Sequence, residues 1–240
     1  MSKVDLSIII PCHNEGSIFE DSVEKIVAVL KTQKKKWEMI FVEDRSVDDT
    51  KKTVEKLTQK YKNIRAIFHK KNKGRGKSVS NGIKTAKGNI CGYLDIDLEV
   101  SEKYIPLFVN EIERGSDLAV GTRFYEGGLK SFPRFLASKA YALIIKSTFS
   151  IPVDDTETGY KFFNRKKIIL VLKKVKDKHW FWDTEICARA HFADLEISQV
   201  PVLFRRRFDK KSTVRLLPDT IGYIVSFIRF KLKLAETLNK

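Results

Sequence analysis

The chain has 240 residues, and 42% of them are hydrophobic. Its 46 lysines and arginines outnumber its 30 aspartates and glutamates, which gives a formal net charge of +16. This apolar share excludes a disordered polycation, and a chain of this length can fold without disulfide bonds. The positive charge favours an anionic partner, such as a nucleic acid, an anionic membrane surface or a phosphorylated substrate.

The cysteines and the apolar runs indicate the cellular environment of the chain. Cys12, Cys91 and Cys187 are far apart, odd in number and without zinc-binding spacing, so we expect a reduced, cytoplasmic environment. The first residues lack the pattern of a signal peptide, and no run of 18 apolar residues predicts a membrane-spanning helix.

The first half of the chain alternates short apolar runs with longer amphipathic segments. The predicted strands are Val4–Pro11, Trp37–Glu43, Ile64–His69, Ile90–Asp95 and Leu118–Gly121. The predicted helices are Ser17–Thr32, Asp48–Tyr61, Lys77–Lys87 and Glu102–Arg114. Ser46 and Ser101 are N-cap candidates. This order predicts an α/β fold with a mostly parallel sheet, and ligands of such sheets bind at the carboxyl ends of the strands.

The second half is less regular. Its predicted helices are Phe132–Phe149, Asp183–Phe192 and Leu216–Lys233. Gly159–Asn164 and Leu195–Phe204 are predicted strands, and Arg205–Arg215 is a predicted basic loop.

Three carboxylates follow the fourth predicted strand, in the sequence Asp95-Ile96-Asp97-Leu98-Glu99. In an extended chain, residues two apart point to the same side, so these acids would converge. A cation would relieve their repulsion, and hard oxygen ligands suit Mg²⁺ or Mn²⁺ that bridges to substrate phosphates. The alternative is a solvated, acidic strand end.

Two polar turns and a basic loop follow the first three predicted strands. Pro11–Glu15 follows the first strand and Glu43–Asp49 the second, where Asp44 is placed to contact a nucleotide base or ribose. The loop Lys70–Lys77 contains two glycines and leads into a helix, which lets phosphate approach the backbone. Each segment alone is also consistent with an ordinary turn or a solvated loop.

Taken in order, these segments resemble the nucleotide-sugar half of the family 2 glycosyltransferases. The matching segments are Ser7–Pro11 with Asn14-Glu15, Glu43–Ser46 with Asp48 and Thr50, Asn72–Gly76, and Asp95–Asp97. The resemblance implies a GT-A fold with a Rossmann-like sheet, and inverting transfer from a nucleoside-diphosphate sugar. The family usually has Asp-Asp where this chain has Glu43-Asp44.

Further motifs resemble the polyprenyl-phosphate sugar synthases of that family, with the dolichyl-phosphate glucosyltransferase branch nearest and the mannosyltransferase branch next. They are Gly121–Arg123, Arg134 with Ser138, Asp155–Phe163 and Trp182–Glu185. The resemblance implies a glycosyltransferase domain over residues 1–215. Its nucleotide-sugar half would be 1–121 and its acceptor half 122–215, followed by an amphipathic helix within 216–240.

The resemblance also implies roles for single residues. Those on the catalytic and acceptor-phosphate side are Asp97, Arg123, Arg134, Ser138 and Arg207. Those that bind the donor, a UDP- or GDP-linked sugar, are Pro11, His13, Asn14, Glu15, Val42, Asp44, Lys73, Arg75 and Asp95. Asp97 and Glu99 would hold Mg²⁺ or Mn²⁺. The implied acceptor is a polyprenyl or dolichyl phosphate.

A second interpretation keeps the donor site but changes the acceptor. A lipid phosphate is already anionic near pH 7 and needs positioning, whereas a glycan or protein hydroxyl needs a general base. The candidate bases are Asp155, Glu157, Asp183 and Glu185. Alternatively, these acids only support the acceptor side.

The C-terminal helix has two apolar sides. One side carries Ile221, Ile224, Val225, Ile228 and Leu232, and the other carries Tyr223, Phe227, Phe230 and Leu234. With Arg229, Lys231 and Lys233 among them, this pattern favours a helix on the membrane surface, on its cytoplasmic face. The alternative is a helix packed on the domain. A nucleic-acid partner is not expected, because the acidic strand ends would repel it and no recognition motif is evident.

Overall fold

The structure is a computed structural model that describes residues 4–16, 18–125, 132–207 and 216–238, without the side chains of 132–140, 216–217 and 235–238. The strands are β1 (Leu6–Cys12), β2 (Trp37–Glu43), β3 (Ile64–Phe68), β4 (Ile90–Leu94), β5 (Leu118–Tyr125), β6 (Tyr160–Asn164) and β7 (Ile197–Phe204). The helices are α1 (Ile18–Thr32), α2 (Thr50–Lys60), α3 (Arg75–Thr85), α4 (Ile105–Glu113), α5 (Phe132–Phe149), α6 (Arg165–Leu172), α7 (Trp182–His191) and α8 (Leu216–Leu238). A 3₁₀ turn, Glu102–Tyr104, precedes α4.

The strands form one sheet in the order β3-β2-β1-β4-β6-β5-β7. The strands β3, β2, β1 and β4 are parallel neighbours, and β5 is parallel to β7. The strand β6 is antiparallel to both of its neighbours, β4 and β5. The mostly parallel sheet expected from the sequence is therefore confirmed, and the carboxyl ends of β1, β2 and β4 share one edge.

Helices cover the sheet on both faces, which explains the continuous apolar runs of the central strands. In β1, Ile8 and Ile10 pack with residues of α1, α2 and α4 on one face. Ile9 points to the other face, where it packs with residues of α3, α6 and α7. Every residue of β1 is buried, so this strand lies at the centre of the fold.

The structure corrects two local expectations. Ser46 does not cap α2, because the helix begins at Thr50, and Ser46 instead accepts a hydrogen bond from the amide of Asn14. Ser101 does cap the 3₁₀ turn, by accepting the amide of Lys103. Helix α6 was not expected, because its Ile- and Val-containing run gives no clear helical signal. Its first turn is capped by the side chain of Asn164.

The C-terminal helix packs on the domain by one side and leaves its other side exposed, so its attachment to a membrane stays a prediction. Its aromatic side packs on the domain, where Tyr223, Phe227 and Phe230 contact the ring of Phe181. Its aliphatic side is exposed, with Ile221 62% and Leu232 61% accessible. Among the described residues, no helix has both the length and the apolar composition that crossing a membrane requires.

Candidate active site

Hydrogen bonds join the turns after β1 and β2 into one polar edge. The amide of Asn14 donates to Ser46 Oγ (3.1 Å), and Asn14 Oδ1 accepts the amide of Val47 (2.9 Å). The amide of Glu15 donates to Thr50 Oγ1 at the start of α2 (2.8 Å). Asn14 has a left-handed backbone (φ 57°), which asparagine tolerates better than most residues. Two predicted donor-binding residues, Asn14 and Glu15, thus lie in the turn after β1 and are fixed to the turn after β2.

His13 lies in the turn after β1, close to the basic loop. Two other predicted donor-binding residues, Pro11 and Val42, are buried partners in the β1–β2 ladder. His13 Nε2 lies 3.3 Å from Asn14 Nδ2 and 3.4 Å from Asn72 Nδ2 of the basic loop. Its Nδ1 is buried and has no hydrogen-bond partner in the described part of the chain. His13 therefore lies between the first turn and the basic loop.

Asp44, directly after β2, holds the basic loop in place. Its Oδ1 lies 2.7 Å from His69 Nδ1 and accepts the amide of Lys73 (2.8 Å), while Oδ2 accepts the amide of Gly74 (2.8 Å). Asp44 is only 3% exposed. Gly74 has φ 91°, a conformation that favours glycine. The carboxylate therefore sets the path of the loop, and its contact with a nucleotide stays a prediction.

Lys73 and Arg75, both predicted to face the donor, have different surroundings. The Lys73 side chain makes no ion pair with the described residues. The guanidinium of Arg75 donates twice to Asp95 Oδ1 (3.0 and 2.7 Å) and once to Asp183 Oδ2 (2.5 Å). Burial opposes its charge, but these two carboxylates raise the pKa of Arg75 well above its ordinary value. Arg75 therefore stays charged and fixes the carboxylate of Asp95 at the end of β4.

Asp183, Lys161 and Tyr93 form a buried cluster next to Arg75. Asp183 also accepts hydrogen bonds from Lys161 Nζ (2.7 Å) and from the hydroxyl of Tyr93. Lys161 is fully buried and donates to the carbonyl of Thr158 (2.5 Å). Burial and the charge of Asp183 raise the pKa of Tyr93 well above its ordinary value, so Tyr93 remains a donor. The motif Asp155–Phe163 contains Lys161, but neither Lys161 nor Tyr93 was predicted to act at the site, although a lysine inside the aromatic strand β6 indicates a buried partner.

The acidic segment after β4 is a turn. The amide of Leu98 donates to the carbonyl of Asp95 (3.3 Å), and Leu98 has φ 54°. The premise of an extended chain is therefore wrong, because strand alternation ends before these acids. Asp95 pairs with the basic loop, whereas Asp97 Oδ1 accepts the amide of Glu99 (3.3 Å). Asp97 and Glu99 are both half-buried. The two predicted metal ligands therefore lie in the same turn, where a hydrogen bond joins them.

Arg123, in the last part of β5, forms a two-point ion pair with Asp155. Nε lies 2.6 Å from Oδ2 and Nη2 lies 2.8 Å from Oδ1. Although burial disfavours the charged carboxylate, Arg123 lowers the pKa of Asp155 below its ordinary value. The guanidinium also lies over the rings of Tyr125 and Phe204, at 5.8 and 5.6 Å from their centroids. The head of Arg123 is therefore fixed by a carboxylate and two aromatic rings.

Arg207, after β7, contacts the acidic turn. Its amide donates to Glu99 Oε1 (3.0 Å), and its Nη1 donates to the carbonyl of Asp97 (3.3 Å). A residue predicted to bind the acceptor phosphate thus touches both residues predicted to bind the metal.

The structure does not describe the side chains of two other residues that are predicted to bind the acceptor. Arg134 and Ser138 belong to α5, but their side chains lie outside the described residues. Residues 208–215, which belong to the predicted basic loop Arg205–Arg215, also lie outside the described residues. The roles of these residues stay predictions.

The four candidate bases differ in what they contact. Asp155 and Asp183 are held in the ion pairs above, and Glu185 is 2% exposed and paired with Arg189 (2.7 Å). The carboxylate of Glu157 accepts no hydrogen bond from the described residues. Burial, together with the charges of Asp155 and Asp183, raises the pKa of Glu157 to about 7. Glu157 is the one of the four candidates that the described contacts leave available for proton transfer.

Sheet order, polar edge and motif residues together define a GT-A-like glycosyltransferase. The chain belongs to glycosyl transferase family 2, whose family model matches residues 7–172. Glucosyl-3-phosphoglycerate synthase from Mycobacterium tuberculosis in complex with UDP has the same fold, with a TM-score of 0.70 at 16% identity. That similarity covers 96% of this chain and 79% of the synthase. A complex of the synthase with Mn²⁺, UDP and glucosyl-3-phosphoglycerate gives a TM-score of 0.67.

Three relatives are similar in sequence. Glycosyltransferase AglD of Haloferax volcanii is 28% identical, over 91% of this chain and 36% of the relative. Dolichyl-phosphate beta-glucosyltransferase ALG5A of Trichomonas vaginalis is 27% identical, over 84% and 66%. Dolichol-phosphate mannosyltransferase of Pyrococcus furiosus is 30% identical, over 68% and 47%. The chain thus spans between about a third and two thirds of the length of these relatives.

Proposed function

We propose that the chain transfers a hexose from a UDP- or GDP-linked sugar to a polyprenyl or dolichyl phosphate, with inversion at the anomeric carbon. The contact of Arg207 with the acidic turn carries this proposal, because it brings a cation of the acceptor half to Asp97 and Glu99. The similarity to relatives named for dolichyl-phosphate sugar transfer supports it.

Asp97 and Glu99 fit a divalent metal such as Mg²⁺ or Mn²⁺. Within the described residues, no group of three or more His, Cys, Asp or Glu side chains could hold an ion by itself. Two carboxylates completed by substrate phosphate oxygens are a typical ligand set for Mg²⁺. When bound, the ion would neutralise the charge that develops on the departing diphosphate.

The remaining groups have roles that follow from their charges. Lys73 would bind the donor diphosphate, because its ammonium has no ion-pair partner among the described residues. Arg123 and Arg207 would hold the acceptor phosphate through charge-assisted hydrogen bonds. A phosphate oxygen would then attack the anomeric carbon on the face opposite the diphosphate. The bond to the diphosphate breaks and the configuration inverts.

Glu157 favours a second candidate function, transfer to a hydroxyl group. A hydroxyl must lose its proton as it attacks, and a carboxylate with a pKa of about 7 suits that task. A lipid phosphate needs no such base. The two functions therefore differ in whether Glu157 is essential for transfer.

The exposed side of α8 supports the proposal that the chain attaches peripherally to a membrane, for which the sequence favours the cytoplasmic face. Ile221, Ile224, Val225, Ile228 and Leu232 are each between 46% and 62% exposed. Such an apolar side of a basic helix suits the boundary between headgroups and acyl chains. Nucleic acid remains outside the proposal, since the carboxylates at the sheet edge would repel its phosphates.

The test is a transfer assay with the purified full chain. Labelled UDP- and GDP-sugars are offered with Mn²⁺ or Mg²⁺ and a polyprenyl phosphate, and the lipid-linked sugar is extracted. We expect product from one donor and a loss of at least about 100-fold in Asp97→Asn, since several kcal/mol of charge stabilisation is removed. Asp49→Asn, an exposed carboxylate in a surface pair, is the matched control and should keep full activity. Undiminished transfer by Asp97→Asn would refute the metal assignment.

The same assay separates the two acceptors. Product with polyprenyl phosphate that persists in Glu157→Gln supports the lipid-phosphate function. Transfer only to a glycan or peptide hydroxyl, lost in Glu157→Gln, supports the second candidate and rejects the first.

A further inference from the structure

A second group of cations lines a cavity that lies between the loop before α7 and the helix α8. The cavity has a volume of about 320 Å³. Its basic side chains are Lys176, Lys178, His179, Arg189, Arg229 and Lys233. None of the residues proposed to bind the donor, the metal or the acceptor phosphate lines it.

The two acids of this cavity are engaged in internal hydrogen bonds. Asp177 Oδ2 accepts from Ser226 of α8 (2.7 Å), and Oδ1 accepts the amide of His179 (2.8 Å). Glu185 accepts the amide of Asp177 (2.7 Å) and Nε of Arg189 (2.7 Å). These two acids connect the walls of the cavity, and its basic side chains outnumber them.

Three of the cations have no anionic partner. Lys176, Lys178 and Arg229 are exposed, and they form no ion pair or side-chain hydrogen bond with any described residue. Cations that share a cavity repel one another, so an anion that binds among them gains from each. The cavity is therefore an electrostatic site for an anion.

The cavity also has an ordered, apolar side. Phe181 and Phe230 are 2% and 5% exposed and form part of its lining. The guanidinium of Arg189 lies 5.0 Å from the centroid of the Phe230 ring while its Nε is held by Glu185. Its Nη atoms donate to none of the described residues, so they can bind an anion with a pre-set geometry.

The position of the cavity on α8 indicates where its ligand comes from. Ser226, Arg229 and Lys233 are three and four residues apart and so share one side of the helix. On one flank of this side lie the packed aromatic residues, and on the other lies the exposed aliphatic stripe defined by Ile221, Ile224, Val225, Ile228 and Leu232. A helix that lies with this stripe on a bilayer would hold the cavity at the depth of the headgroups.

We propose that this cavity binds a phosphate group, and that the group belongs to the headgroup of an anionic phospholipid. The acyl chains of that lipid would lie along the aliphatic stripe. This is a second phosphate site, apart from the one at Arg123 and Arg207, and it holds the enzyme on the membrane and does not take part in transfer.

Calorimetric titration of the full chain with short-chain lipids, kept below their micelle concentration and without metal, tests the site. The ligands are dihexanoyl phosphatidic acid, dihexanoyl phosphatidylcholine and glycerol 3-phosphate. We expect the phosphatidic acid to bind at least tenfold more tightly than the choline lipid. The double variant Lys176→Gln/Arg229→Gln should lose at least tenfold in that affinity.

The control variant removes the same charge from the same two segments outside the cavity. Lys173→Gln/Lys231→Gln replaces two exposed lysines and should change the affinity less than twofold. An equal loss in both double variants would overturn the site, because it would reflect net charge alone. Binding that disappears in Arg123→Gln would also overturn it, because the ligand would then lie in the acceptor site.

Glycerol 3-phosphate distinguishes the two sources of phosphate. Affinity for it at least tenfold below that for phosphatidic acid supports the lipid headgroup. Equal affinity for the two would overturn the lipid assignment. The result does not depend on transfer activity, so it stands or fails separately from the proposed function.

Discussion

Arg75 and Asp183 are 108 residues apart in the chain, yet Nη1 of the one lies 2.5 Å from Oδ2 of the other. The pair joins the start of α3 to the first turn of α7, and Arg75 in turn holds Asp95 at the end of β4. The loop predicted to bind the donor is thus fixed to the half of the chain predicted to bind the acceptor. The network joins the buried Asp183 to the partly exposed Asp95, whose side chains are 3% and 40% accessible.

Replacement of Asp183 should destabilise the fold. The charges of Arg75 and Lys161 are balanced by the buried Asp183 and the partly exposed Asp95, so Asp183→Asn leaves one buried positive charge uncompensated. We expect a loss of about 3–5 kcal/mol in the free energy of unfolding. Urea denaturation measures it, with Asp21→Asn as the control, because the Asp21–Lys25 pair is exposed and contributes less than about 1 kcal/mol. Equal effects of the two variants would contradict the prediction.

Addition of a methyl group at Gly159 should disturb the donor side. A Cβ there would overlap the Asp95 carboxylate and lie 2.6 Å from Arg75 Nη2. We expect Gly159→Ala to cost about 1–3 kcal/mol and to weaken the binding of the nucleotide. Denaturation and calorimetry with UDP and GDP measure both effects.

Gly222→Ala is the control for this change. A Cβ at Gly222 meets nothing within 4 Å, and the position lies in α8. Alanine should there be neutral or stabilising by up to about 1 kcal/mol. If Gly159→Ala bound nucleotide as tightly as the unaltered chain, the Asp95–Arg75 pair would have no part in the donor site.

Arg123→Lys should affect the acceptor and spare the donor. A lysine keeps the charge but cannot make the two-point contact with Asp155 or lie flat on the aromatic rings. We expect the KM for polyprenyl phosphate to rise at least about tenfold, from the loss of one charge-assisted bond. The KM for the sugar nucleotide should stay the same. Arg114→Lys, at an exposed arginine, should change neither, and a rise confined to the donor KM would reject the assignment.

Glu157 should make stability depend on pH. Its pKa is raised from 4.5 to about 7, first by burial, so the folded chain keeps this proton to a higher pH than the unfolded chain does. The contribution is fully present below pH 4.5, falls between about 4.5 and 7 and is lost above that range, with a slope of up to about 1.4 kcal/mol per pH unit. Urea denaturation at pH 5 and pH 7.5 should show a smaller decline in Glu157→Gln. Equal declines would mean that Glu157 titrates normally.

The sequence predicts the fold well where burial imposes a simple pattern. Strands such as β1 are mostly apolar because both faces of the sheet are covered, and their positions are confirmed within a few residues. Helix α6 was not predicted, because several of its apolar residues are β-branched and do not favour a helix. The cap residue Asn164 is the one local signal of its start. The tail helix has two apolar sides, and tertiary packing decided which of them is buried.

At the site, the sequence predicts which residues gather at the sheet edge, and their contacts depend on the fold. Asp97 and Glu99 stay together, but Leu98 turns the chain where an extended strand was expected. Arg75 is predicted to bind the donor because it stands in the loop Lys70–Lys77, and that role stays a prediction. Its carboxylate partner Asp183 comes from a distant helix, and a local pattern cannot show such a pairing.

The antiparallel strand β6 has a consequence for how the chain can be divided. It belongs to the second half of the sequence, yet it lies between β4 and β5, which precede it. A fragment that ended after β5 would expose the hydrogen-bonding edges of two hydrophobic strands, and such edges pair with those of other molecules. If the predicted acceptor half were exchanged near residue 121, the incoming half would have to supply a strand that pairs with both β4 and β5. Substitutions and loop replacements within the intact sheet keep these pairings.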